Sequence, residues 1–305
     1  MQLRLVTWNL HGPPLARRQT ERFREASRRI LTSAAPLPDL VLLQEIWFSS
    51  EAARLIALFE PQYQPVDVPR TSYPGRAGGL LTFVRRDTWS VAEHSFEIFS
   101  ESAPAWRVWE GDGMASKGVQ CVVLKRGSQR LAICNTHLQA QYGERGYTKV
   151  RAAQIEQLDH IVARIPLDTP VVSAGDFNTR PREELYGRLA STWIDLTEGL
   201  RQRCGCGTTV SNTGAEEWID YVFSRRSPAW TVQTERAERL VCTSVDDPSD
   251  HHGLDVTFSL TALPVAKTAS ALALAALHGP STRRQWLLGC LTLLLQHGQG
   301  KGTAM

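Results

Sequence analysis

Eight short apolar runs, each closed by turn-forming or polar residues, constrain the fold of this chain more than any other feature. They cover residues 3–8, 40–44, 79–84, 118–124, 130–138, 170–177, 219–223 and 254–260. Runs this short, rich in Val, Ile, Leu and aromatics, read as buried strands. Two stretches between them repeat apolar residues at helical spacing. Residues 17–32 do so through Phe23, Ala26, Ile30 and Leu31, and residues 150–165 through Ile155, Leu158, Ile161, Val162 and Ile165. Strands mixed with helices over residues 1–260 indicate an α/β or α+β domain.

Composition narrows what such a domain does. A hydrophobic fraction of 42% over 305 residues supports a packed core and excludes disorder. A net charge of +3 is too small for a protein that coats a polyanion. Cys121, Cys134, Cys242 and Cys290 stand apart among apolar residues and read as buried thiols. Cys204 and Cys206 form a Cys-Gly-Cys pair, too poor in neighbouring ligands for zinc, and read as reduced. The first strand begins almost at Met1, so no signal peptide is expected. The expected location is the cytoplasm or the cytoplasmic face of a membrane.

Residues 261–305 differ in kind. An Ala/Leu-rich run ends at Leu277, and a second run places Leu287, Leu288, Leu291, Leu294 and Leu295 on one helical face. Ser281 suits the start of that helix and Gly298 its end. The expectation is a helical hairpin turned at Gly279 and Pro280, too short to span a bilayer. It would pack on its own domain, pair with a second copy in a homo-oligomer, or lie on a phospholipid surface.

Polar residues cluster where the strands end. Asn9 and Glu45 follow the first two runs, Asn135 to His137 close another, and Asp176 with Asn178 closes the next. Asp220 lies in IDYVF, and Asp250 with His251 precedes the last run. Strand ends are where layered folds assemble ligand sites. Hydrolysis of a phosphoester needs such groups: a hard oxygen ligand for Mg²⁺, an imidazole for proton transfer, and donors for the phosphoryl oxygens.

TWNLHG, LLQEIW, NTHLQ, GDFN, IDYVF and SDHHG, in this order, resemble the endonuclease/exonuclease/phosphatase superfamily across residues 1–260. The resemblance implies a DNase-like fold, a four-layer sandwich of two packed β-sheets flanked by helices. It implies Mg²⁺, with Mn²⁺ as a substitute, on Glu45, with Asn9 beside it and Asp250 as an accessory acid. Asp176 and Asn178 would position water and phosphate, Asp220 would orient His251, and His137 would contact the phosphate. His252 would point the other way.

Motif wording narrows the substrate. LQEIWF and NTHLQAQY are most similar to neutral sphingomyelinases, as is the segment from Asp112 to Gly118 that carries Lys117. Lys117 would reach a phosphodiester oxygen, with Asp112 as its partner. Aromatics near the motifs, among them Trp47, Phe48, Trp106, Trp109 and Tyr142, suit a choline headgroup. The expected activity is release of phosphocholine from sphingomyelin. The alternatives are a nuclease or nucleotide phosphodiesterase acting on nucleic acid, and an inactive membrane-associated scaffold.

Overall fold

The computed structural model describes residues 1–13, 16–32, 36–71, 75–107, 111–142, 146–210, 216–244 and 247–264. The expected hairpin in 261–305 and Trp109 lie outside the described residues, apart from 261–264. Among the described residues no helix is long and apolar enough to cross a membrane.

Two six-stranded sheets form the centre. The first holds β1 (Gln2–Asn9), β2 (Leu40–Gln44), β3 (Tyr63–Val66), β4 (Leu81–Arg85), β11 (Trp230–Leu240) and β12 (Gly253–Ala262), in the order β11-β12-β1-β2-β4-β3. The second holds β5 (Ser90–Ile98), β6 (Gly118–Arg126), β7 (Gln129–His137), β8 (Val171–Asp176), β9 (Trp193–Asp195) and β10 (Asp220–Arg225), in the order β5-β6-β7-β8-β10-β9. The α-helices among the described residues are α1 (Gln19–Leu31), α2 (Ser49–Phe59), α3 (Thr148–Ala163), α4 (Glu184–Thr192) and α5 (Glu198–Cys204).

Side-chain alternation builds the layers. Leu3 and Leu5 of β1, with Leu40 and Leu42 of β2, enter one core with Val122, Ile133 and Val172 of the second sheet. Their neighbours Val6, Trp8, Val41 and Leu43 face the other way, onto Phe23 and Ile30 of α1 and Leu55 and Phe59 of α2. Both faces are apolar, so a one-residue slip would mispair the strand on both sides. Each fully buried leucine contributes about 1.5–3 kcal/mol. Ile155 and Leu158 of α3 and Leu189 of α4 join the core of the second sheet.

Strand direction positions the site. β1 runs parallel to β2 and antiparallel to β12, while β7 runs parallel to β8 and β8 antiparallel to β10. The ends of β1, β2, β7 and β8 and the beginnings of β10 and β12 therefore share one rim. Below it, Gln44 and Asn135 join the sheets. Gln44 Nε2 donates to Asn135 Oδ1 at 2.8 Å and to Thr7 Oγ1 at 3.0 Å.

The cysteines correct the sequence reading. Cys121 and Cys134 face each other across β6 and β7 and form a disulfide, as do Cys204 and Cys206. The first pairing follows from hairpin register, which spacing alone does not reveal. Cys242 is the buried free thiol expected.

Candidate active site

His251 is fixed by its backbone before its ring is considered. Its N–H donates to Ser249 Oγ at 3.1 Å, its C=O accepts from the Trp8 indole at 2.8 Å, and Ser249 Oγ donates to Asn9 O at 2.6 Å. The buried ring places Nδ1 2.8 Å from Asp220 Oδ2 and Nε2 3.9 Å from Asp176 Oδ2. Burial disfavours the imidazolium, but the charge and hydrogen bond of Asp220, with Asp250 and Asp176 nearby, hold the pKa well above its ordinary value. Asp176 lies opposite Asp220 in the β8–β10 register. Burial, then the charge of Asp220, push its carboxyl up to about 7.

His137 flanks the same oxygen from the other side, with Nε2 3.5 Å from Asp176 Oδ2. Lys117 stands beside the same nitrogen, its Nζ 2.9 Å from His137 Nε2, 2.9 Å from Asp112 Oδ2 and 2.9 Å from Leu138 O. An ammonium only donates, so Nε2 accepts and the ring carries its proton on Nδ1. Burial, then the charge of Lys117, keep the His137 pKa well below its ordinary value. Its Nδ1 is buried and has no partner among the described residues. Lys117 has committed all three N–H bonds, and its charge also acts on Asp176, opposing the rise of that carboxyl. Asp112 Oδ2 also accepts from Gln139 Nε2 at 2.8 Å and from the Ala140 N–H at 2.7 Å.

Glu45 and Asn9 complete the rim. Asn9 Nδ2 donates to Glu45 Oε1 at 3.0 Å and to Asp176 Oδ2 at 3.1 Å, and the Gly12 N–H donates to Glu45 Oε2 at 3.1 Å. Gly12 is required, because a Cβ there would lie 2.0 Å from Glu45 O. His11 (φ 49), Glu45 (φ 63) and Asn178 (φ 47) are all left-handed, a backbone state that non-glycine residues adopt at a cost and that recurs at functional sites. Asn178 donates from its backbone to Asp176 Oδ1 at 2.8 Å and from Nδ2 to Leu138 O at 3.1 Å.

The residues fit a hard divalent cation. Ligand atoms of Asp176, Asp220 and His251 all lie within 4.8 Å of one another. Asp220 Oδ2 is engaged by His251, which leaves the Asp176, Asn9 and Glu45 side for a cation. Burial and then the charge of Asp220 raise the Asp176 carboxyl, and a cation would offset both; the carboxylate oxygens of Asp176 and Glu45, which Asn9 Nδ2 bridges, suit a hard cation such as Mg²⁺ or Mn²⁺.

Other sequence candidates sit around this centre. Asp250 Oδ2 is 2.9 Å from His11 Nδ1. Burial opposes the pairing on both sides, yet it raises the His11 pKa and lowers that of Asp250. Sequence reasoning gave His11 no role, although TWNLHG displays it. Trp47 is buried, its ring centroid 6.3 Å from that of His137. Tyr142 and Phe48 are half-buried. Trp106 is exposed, with the Arg107 guanidinium 4.6 Å over its ring. His252 points away: Nδ1 accepts from the Cys242 N–H at 2.9 Å and Nε2 lies 3.4 Å from Glu216 Oε1.

The sequence pattern of the Endonuclease/Exonuclease/phosphatase family matches residues 6–251. The chain belongs to this family. It is similar to nocturnin of Drosophila melanogaster, 22% identical over 273 residues, which cover 80% of this chain and 39% of that protein. The chain thus spans less than half the length of the curated relatives it matches. In fold it is similar to D. rerio TDP2 complexed with a single-strand DNA product, with TM-score 0.65, 18% identity and coverage of 85% and 99% of the two chains. It is also similar to sphingomyelinase C from Streptomyces griseocarneus, with TM-score 0.61, 22% identity and coverage of 84% and 99%. The rim carries the acid, amide and imidazole groups of a metal-dependent phosphoesterase site.

Proposed function

We propose that this chain is a Mg²⁺-dependent phosphodiesterase that cleaves a phospholipid headgroup ester, with sphingomyelin giving ceramide and phosphocholine. One observation carries the reaction class. His251 spends Nδ1 on Asp220 and leaves Nε2 facing Asp176, which is the arrangement of an oriented proton-transfer imidazole. Water adds to phosphorus and the bond to the departing alcohol oxygen breaks. The proton lost by water passes to the rim, and the departing oxygen takes up a proton. Nε2 of His251 is the atom placed to move that proton, and Asp220 orients the ring. Glu45, Asn9 and Asp176 would hold the metal, which supplies charge neutralisation of the phosphate. Asn178 offers a side-chain donor to a phosphoryl oxygen, and a preorganised donor is worth roughly 10²–10³ in rate.

Motif wording at residues 43–48 and 135–142 supports the lipid, as do Trp47 beside His137 and the fold shared with a sphingomyelinase C. A second reading, a nucleic-acid or nucleotide phosphodiesterase, is supported by the nocturnin similarity and by the fold shared with a TDP2 bound to DNA product. The test is a Mg²⁺-dependent assay over sphingomyelin and glycerophospholipid vesicles, single-stranded DNA, RNA and nucleotides, with His251→Ala as control. Phosphocholine release that the variant loses supports the lipid reading. Cleavage of nucleic acid or nucleotide alone would transfer the site to the second reading.

A further inference from the structure

The two members of the His251–Asp220 pair stand on different sheets. Asp220 opens β10 in the second sheet, and His251 leads into β12 in the first. Their 2.8 Å contact therefore depends on how the two strand ends are held relative to each other.

Residues 207–210 cross that gap, and Thr208 is the centre of the crossing. It is completely buried. Its Oγ1 accepts from the Ile219 N–H at 3.0 Å and from the Asp220 N–H at 3.1 Å. Its own N–H donates to Glu217 O at 2.8 Å, and its C=O accepts from the His252 N–H at 2.6 Å. On the next residues, Thr209 makes a bridge with His251, and the Val210 N–H donates to Asp250 O at 2.6 Å. The outer end is anchored too. Gly207 O accepts from Arg239 Nη1 at 2.7 Å, and a Cβ on Gly207 would lie 2.5 Å from Glu217 N.

We infer that Thr208 is a positioning residue for the proton-transfer pair. Its hydroxyl sets the backbone that carries Asp220, and its carbonyl sets the backbone that follows His251. One residue thereby fixes a distance across two sheets without touching the imidazole or the carboxylate. The inference rests on reading His251 and Asp220 as the working pair. Valine would fill nearly the same volume but leave two buried amides without their acceptor. Asp220 would then relax away from His251, and a displacement of about 1 Å in such a group costs roughly 100-fold in rate.

The experiment compares Thr208→Val, Thr208→Ser and Asp220→Asn in the full chain, with Mg²⁺ and a soluble chromogenic phosphodiester. Thr208→Val should lower kcat roughly 10- to 100-fold while KM changes by less than about 3-fold. Its pH–kcat profile should shift in the direction seen for Asp220→Asn. Thr208→Ser, which keeps the acceptor, should restore kcat to within about 3-fold of the parent. A Thr208→Val enzyme with parental kcat overturns the inference. So does one whose loss matches only its unfolded fraction, with an unchanged pH profile. A parent chain inactive on every diester defeats the phosphodiesterase reading instead. The positioning claim is then decided by the proton NMR signal of the His251 Nδ1–H on Asp220. That signal should be displaced in Thr208→Val and kept in Thr208→Ser, and an unmoved signal in both overturns it.

Discussion

His251 and His137 flank one carboxylate oxygen, Asp176 Oδ2, at 3.9 and 3.5 Å, and both rings are buried. They are nevertheless opposite in charge tendency. An anion, Asp220, stands behind His251, and its pKa is raised. A cation, Lys117, stands beside His137 Nε2, and the His137 pKa is lowered. Burial alone would push both down. The partner of each ring therefore decides the state of the nitrogen it turns to Asp176: a charged, transferable proton on His251 Nε2, an unprotonated acceptor on His137 Nε2.

The largest expected effect comes from removing the anion. Asp220→Asn should cut turnover by roughly 10²–10⁴, since it leaves the ring in place but takes away its orienting charge. Steady-state kinetics on a soluble diester checks this, and a loss under 10-fold would break the contrast. Lys117→Met attacks the other side and should separate stability from chemistry. It leaves Asp112 buried without its cation, costing about 3 kcal/mol in urea denaturation, while turnover falls only roughly 10-fold through the loosened His137.

The contrast also predicts opposite pH slopes in the metal-free protein. The folded pKa of His251 lies above its unfolded value, so its contribution to stability is full below about 6.5 and is lost as pH rises through the folded value. The folded pKa of His137 lies below, so its contribution is full above about 6.5 and is lost as pH falls. Ring-proton NMR should place the His251 midpoint above that of a free histidine and the His137 midpoint below it. Lys117→Met should raise the His137 midpoint, and Asp220→Asn should lower that of His251. Midpoints that coincide would remove the comparison. Gln44→Leu should act on neither ring. It removes the donor to Asn135 Oδ1 below the rim and should cost about 1–2 kcal/mol, with kcat little changed.

The two sheets show why part of this was legible in sequence. All eight strands read from apolar runs are interior strands; the four that sequence reading missed, β3, β5, β9 and β11, are the outer edges of the two sheets. Interior strands such as β2 are buried along their whole length, so their sequences are apolar but for residues near the rim such as Gln44. β5 and β11 are exposed over much of theirs, with sequences such as AEHSFE and QTERAER that carry no strand pattern. At the site, Glu45, Asp176, Asp220 and His251 were visible because each sits within three residues of one end of an apolar run. His11 and Thr208 were not assigned, because their roles depend on partners such as Asp250 and Asp220 that only the fold brings near. The Cys121–Cys134 pair was hidden for the same reason.

The most direct test of the central claim is hydrolysis of a soluble chromogenic phosphodiester, with Mg²⁺ and after chelation, by the parent chain and His251→Ala. The account predicts turnover that needs the metal and falls by roughly 10³ or more in the variant, with the melting curve retained. Turnover that survives His251→Ala, or that is absent from the parent chain on every diester tried, would contradict it.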